Sequence, residues 1–283
     1  MQPYPSPLGR ARTILTAMRI PSCVLMGFAV ILGEAVASQT IPAEAAFCGF
    51  MTGFLLLGAC MVLDFDRGIQ VSSTRNGILP ADVLRLNEAL SFAIVLASFG
   101  LLSAAYVGSW ALLTAVLSVV VIVAYHACVK KRDLVGDVFV GVFMALIFIF
   151  AGFAVGRPTW PLTIFSMMAF LASTGRAIMR NLGQVKDNSS SGARSEPANE
   201  GYGQAGKQSA TFFLTTIAVS ILPPLLGLVS IYFIPLAVVC DVGFLLTAYS
   251  LLMSPTPHTA KRNANYVLLW MSFGLLAFVI GTI

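Results

Sequence analysis

Long apolar blocks separated by short polar breaks run along almost the whole chain. Blocks of roughly 20 mostly apolar residues, the length a helix needs to cross a bilayer core, lie near 20–38, 45–63, 89–107, 109–128, 136–155, 161–179, 211–231, 233–252 and 264–282. Inside each block the apolar residues are continuous rather than alternating, which favours helices over the strands of a membrane barrel. Breaks such as Val107-Gly108-Ser109 and Gly156-Arg157-Pro158 suit tight hairpins between antiparallel helices. The pattern predicts an all-α polytopic membrane bundle of about nine transmembrane helices, a single domain over 1–283.

Composition narrows the class. Hydrophobic residues make up 58% of the chain and charged ones 10%, against about 25% charged in soluble globular domains. The mean hydropathy is +0.87. So few polar residues cannot cover a water-facing globule of this size. Cys23, Cys48, Cys60, Cys128 and Cys240 form no C-x-x-C pair, so neither a zinc site nor a disulfide framework is indicated, and small buried hydrophobes are the simpler reading. The first apolar block is long and more follow, so no cleavable signal peptide is expected.

The positive charges give an orientation. Of 17 Lys and Arg residues, all but Arg157 fall on one side of the predicted spans. The positive-inside rule makes that side cytoplasmic. The expectation is a multi-pass protein of the cell membrane, N-terminus cytoplasmic and C-terminus outside. Two long cytoplasmic loops are expected near 64–88 and 180–210. The second holds SSSGARSEPANEGYGQAG, which lacks apolar periodicity and is expected to be mobile. Membrane lipids are expected partners and nucleic acid is not.

Three groups of residues are candidates for chemistry. Asp64 and Asp66, followed by Arg67, close the second block. Carboxylate oxygens suit Mg²⁺, which commonly takes one or two of them plus substrate phosphates. Two residues apart on a helix, the pair diverges by about 200°, so both face one ion only if the helix ends or unwinds there; a polar helix cap is the plainer alternative. Arg176 and Arg180, at i,i+4, share a helix face. With Lys130 and Lys131 they form either a basic mouth for phosphate or an anchor to anionic lipid. Asn181 and Gln184 add neutral oxygens nearby. Asp137 and Asp241 are acids within or beside apolar blocks, where a charge is expensive and a function is the default hypothesis; interhelical hydrogen bonding is the alternative for each. His126, alone at the end of a block, reads as a packed interface residue.

In order along the chain, MRIPSCVLMGFAVILGE at 18–34, GACMVLDFDRGI at 58–69, LRLNEALSFAIVL at 84–96, KKRDLVGDVFVGVFMALIFIFAGFAVG at 130–156, MAFLASTGRAIMRNLGQV at 168–185 and WMSFGLLAFVIG at 270–281 resemble the UbiA superfamily of membrane prenyltransferases. Within it they are most similar to the digeranylgeranylglyceryl phosphate synthases of archaeal ether-lipid synthesis. The resemblance implies transfer of a geranylgeranyl group from its diphosphate to geranylgeranylglyceryl phosphate, with Mg²⁺ as cofactor and with prenyl diphosphate and glycerophosphate lipid as substrates. It implies Asp64 and Asp66 as catalytic residues, Arg67, Lys130, Lys131, Arg176 and Arg180 as phosphate-binding groups, and Asp64, Asp66, Asn181 and Gln184 as metal ligands.

The chain also departs from the family pattern. Anchored on Asp66-Arg67, the motif N-D-x-x-D-x-x-x-D keeps one aspartate in register and ends on Gln70. In the second motif Gly175 and Arg176 remain, Ala177 replaces Glu, Arg180 replaces Lys, and Asn181 and Gln184 stand for aspartates. Gly136-Asp137 stands where the family has Gly-Asn. The phosphate side of the site is therefore better kept than the metal side. That leaves a prenyltransferase, a catalytically impaired isoprenoid-lipid binding paralogue on the same fold, and, as a third class, a transporter, for which no convincing internal repeat is present.

Overall fold

The computed structural model describes residues 18, 20–38, 40–76, 86–128, 134–156, 158–184 and 196–282, with backbone alone at 21, 64–76, 86, 127–128, 184 and 196–200. Among the described residues the regular elements are all helices: α1 Ile20–Ala37, α2 Ala43–Asn76, α3 Leu86–Val107, α4 Ser109–Cys128, α5 Leu134–Ala154, α6 Trp160–Gln184, α7 Glu196–Ser220, the single turn α8 Leu222–Leu225, α9 Phe233–Met253 and α10 Pro257–Thr282. Eight of them are long and apolar enough to span a membrane, and α1 adds the shorter apolar run Ser22–Ala37. The expected polytopic helical bundle is what forms.

Helix ends differ from the apolar blocks for identifiable reasons. Helix α2 runs on through 64–76, and α7 begins at Glu196, so much of the stretches read as loops is helical. Hydropathy marks where lipid ends, whereas backbone hydrogen bonding carries a helix onward into water. The block at 211–231 does not stay one helix. It stops at Ser220; Pro223 and Pro224 sit in the separate turn α8, and Gly227 takes φ 64°. Proline supplies no N–H to continue a ladder, and a positive φ suits glycine. Helix α10 starts at Pro257, seven positions before the expected 264. Thr256 caps it, its Oγ1 accepting from the Thr259 N–H at 3.2 Å, and Pro occupies the first helical position where its missing N–H is not needed.

The helices alternate in direction, so their termini gather at two ends. At one end Asn181 of α6 meets Asp137 of α5, Gly183 of α6 lies against the backbone of Lys261 in α10, and Gly206 of α7 lies against Pro255. At the other, Gly49 of α2 meets Glu34 of α1, Gly152 of α5 meets Leu162 of α6, and Gly281 of α10 meets Phe233 of α9. Helices α1 and α6 are central: α1 touches α2, α5, α6 and α10, while α6 touches α1, α5, α7, α8 and α10. The interior is aromatic and aliphatic, with Phe148, Phe165, Phe233 and Phe278 meeting edge-to-face or tilted in one cluster and Met179, Phe213, Phe244 and Val267 in another.

Outward faces are apolar too. Phe99, Leu102 and Leu117 on α3 and α4, and Leu245 and Leu246 on α9, are exposed. In water such patches would aggregate; in a bilayer they meet acyl chains. Exposed Tyr106, Trp110, Trp160 and Tyr232 all sit at the end opposite Asp137, where an aromatic belt marks a membrane–water interface.

Candidate functional site

The polar cluster that the described side chains assemble joins the start of α5 to the end of α6. Asp137 lies in the first turn of α5, only 6% exposed. The Asn181 Nδ2 donates to Asp137 Oδ1 at 2.6 Å across the helix interface. A carboxylate only accepts, so the amide must present its NH₂ there, which leaves Asn181 Oδ1 as an acceptor. Arg180, half-buried, lies close enough to act electrostatically on Asp137, and its buried Nε has no hydrogen-bond partner among the described residues. The approach is made possible one turn further along α5. A side chain at Gly141 would collide with the Phe170 carbonyl oxygen and Thr174 Oγ1 of α6. The lack of a Cβ there lets the two backbones close until Asp137 reaches Asn181.

Arg176 sits one turn before Arg180 and donates from Nε to the Ala264 carbonyl oxygen of α10 at 3.3 Å. The cluster is thus framed by α5, α6 and α10. Lys261 and Arg262, exposed at the start of α10, and Lys207 in α7 belong to the same end. Asp137 and Asn181 together offer carboxylate and amide oxygens, the donor type a hard divalent cation takes, with remaining positions left to water or substrate phosphate. The donor chemistry fits Mg²⁺. Among the described residues no three His, Cys, Asp or Glu side chains converge.

The other sequence-derived candidates divide as follows. Asp64, Asp66 and Arg67 lie on α2, which passes through them without the break that would turn both acids toward one ion; their side chains lie outside the described residues, as do Lys130 and Lys131 altogether. Gln184 is the last residue of α6, its side chain likewise outside. Asp241 accepts from Ser220 Oγ at 2.6 Å, tying α9 to α7. His126 Nδ1 donates to the Ile122 carbonyl oxygen one turn back, at 2.8 Å.

Sequence reading passed over Glu34. It is fully buried in α1 against Gly49 of α2, and among the described residues neither carboxyl oxygen has a hydrogen-bond partner. The available signal was a lone acid within an apolar block. It lies at the end away from Asp137. A cavity of about 500 Å³ opens at that same far end, between the end of α1, the start of α6, the 227–230 turn and the end of α10. Its walls include neither Asp137 nor Asn181.

A multi-pass helical membrane bundle with a carboxylate, an amide and arginines gathered at one end defines the class. The UbiA prenyltransferase family matches residues 22–276, and the chain belongs to that family. It is 26% identical to the digeranylgeranylglyceryl phosphate synthase of Methanocaldococcus jannaschii, over 97% of each chain. It is also 26% identical to the synthase of the same name from Methanosarcina mazei, over 95% of this chain and 98% of that one. Among solved structures, one described as digeranylgeranylglyceryl phosphate synthase in membranes shares the fold with a TM-score of 0.75 at 23% identity, over 96% of this chain and 98% of that one. A UbiA homolog from Archaeoglobus fulgidus bound to DMAPP and Mg²⁺ superposes with a TM-score of 0.64 at 14% identity, over 94% and 98%.

Proposed function

We propose that this protein joins a geranylgeranyl group to the free hydroxyl of geranylgeranylglyceryl phosphate, as a digeranylgeranylglyceryl phosphate synthase. The observation that carries this reading is the end-to-end similarity to synthases of that name. The α5–α6 polar cluster at the basic end of the bundle supports it.

In the reaction the bond between the allylic carbon and the diphosphate oxygen breaks, and the electron pair leaves with pyrophosphate. The acceptor hydroxyl oxygen then bonds to that carbon, and its proton passes to water or to the departing pyrophosphate. Arg67, Lys130, Lys131, Arg176 and Arg180 are assigned to the diphosphate, where guanidinium and ammonium groups favour the charge that develops on the leaving group. Asp66, Asn181 and Gln184 are assigned to Mg²⁺, which when bound would neutralise the leaving group; on the unbroken α2, Asp64 does not face the same ion. Of the two acids, Asp66 takes the larger part. It is the acid in register with the family's first motif, whereas position 64 falls about 200° away on the unbroken α2. The prenyl tail dissolves among the apolar helices. The basic end faces the cytoplasm, with the N-terminus inside and the C-terminus outside.

Membranes containing the protein, given geranylgeranyl diphosphate, acceptor and Mg²⁺, are expected to form the diether phosphate. A second reading rests on the thin carboxylate set among the described residues: an isoprenoid-lipid binding relative that performs no transfer. Well-folded wild-type protein that binds the acceptor lipid and forms no product would establish that second reading.

A further inference from the structure

We infer that Asp137 supplies the carboxylate for a divalent cation on the α5–α6 side of the site, with Asn181 as its hydrogen-bonded partner and co-ligand. What the cation does there rests on the transferase reading; the cation site itself does not.

Four observations converge on it. The Asp137 carboxylate is almost fully enclosed at the mouth of an apolar span, a costly place for a charge with no task. Its Oδ1 is held by Asn181, while Oδ2 takes no hydrogen bond among the described residues. Asn181 has given its NH₂ to this contact, so its Oδ1 remains as a second neutral oxygen donor. Arg180 stands beside the pair, its Nε without a hydrogen-bond partner among the described residues, placed to meet a phosphate that shares the cation. One carboxylate, one amide oxygen and an adjacent guanidinium make an incomplete shell that substrate phosphate oxygens complete, which is how Mg²⁺ is usually held.

The arrangement explains two departures in the sequence together. An acid stands on α5 at 137 and an amide on α6 at 181, and the 2.6 Å contact makes them two halves of one unit. A site needing one carboxylate and one amide in contact is served whichever helix carries the acid.

The test exchanges them. Mn²⁺, read by electron paramagnetic resonance, reports cation binding to purified protein in lipid nanodiscs without any turnover. Asp137→Asn is expected to weaken Mn²⁺ binding by about tenfold or more, the scale on which losing support around a metal lowers affinity. The double variant Asp137→Asn with Asn181→Asp restores the carboxylate from the other helix and is expected to return within about threefold of wild type. Thermal unfolding of each variant establishes that it is folded, and the double variant keeps the test decisive where the single one unfolds. Wild-type affinity in Asp137→Asn overturns the inference, as does a folded double variant that stays as weak as the single. Asp137-dependent Mn²⁺ binding in a protein that makes no product leaves this site standing and removes the transferase reading instead.

Discussion

Asp66, Asp137 and Glu34 are three carboxylic acids in one apolar bundle, and different work falls to each. Asp66 stands on α2 in the stretch most like the family's first motif. Its replacement by Asn is expected to lower the rate of product formation by about 10²-fold, the scale of removing one charge-stabilising group from a transition state, with thermal stability unchanged; product assays and melting curves together check this. Glu34 does the opposite kind of work, or none. It is enclosed at the far end with both oxygens unpartnered among the described residues, and burying a polar group without hydrogen bonds costs about 1–3 kcal/mol on mutational scales. Glu34→Met, of similar length, is expected to raise the unfolding temperature in detergent and leave transfer intact. A fall in melting temperature would show a partner for Glu34 that the apolar surroundings do not suggest. Arg180 and Asn181 were legible in the sequence from the motif that ends α6. The Asn181–Asp137 contact was not, because the partners are 44 positions apart and only antiparallel packing of α5 on α6 brings them together.

At the scale of helices, the α5–α6 interface sets the site. Four positions separate Asp137 from Gly141, so both lie on the face of α5 that meets α6. Gly141→Ala introduces a Cβ against a backbone carbonyl, which cannot swing away as a side chain end can. A stability loss of about 1–3 kcal/mol is expected from such overpacking, together with weakened Mn²⁺ binding although no ligand has been touched. Unaltered binding in a folded Gly141→Ala protein would separate the helix spacing from the site. The nine helical blocks were legible from hydropathy because lipid contact leaves long apolar runs. Their ends were not. Residues 64–76 and 196–210 are polar yet helical, since outside lipid a helix persists wherever its backbone hydrogen bonds do. The split at Ser220 was foreshadowed by Pro223-Pro224, whose effect depended on where the membrane-facing run stopped.

For the whole molecule, two ends with opposite character carry the account. Arg176, Arg180, Lys207, Lys261 and Arg262 stand at one end and the exposed Trp110, Trp160 and Tyr232 at the other. A cysteine introduced by His258→Cys, at an exposed position on the basic end, in a cysteine-free background, is expected to react with a membrane-impermeant maleimide only in inside-out vesicles. Labelling in right-side-out vesicles instead would invert the topology and place the Asp137 cluster away from a cytoplasmic substrate. The central claim is ether-bond formation, and its most direct measurement is a single-turnover reaction in nanodiscs following pyrophosphate release and diether phosphate mass together. The account predicts that the two appear in equal amounts, only with Mg²⁺ and acceptor present. Folded protein that releases no pyrophosphate and forms no diether, with substrates and Mg²⁺ supplied, would contradict it.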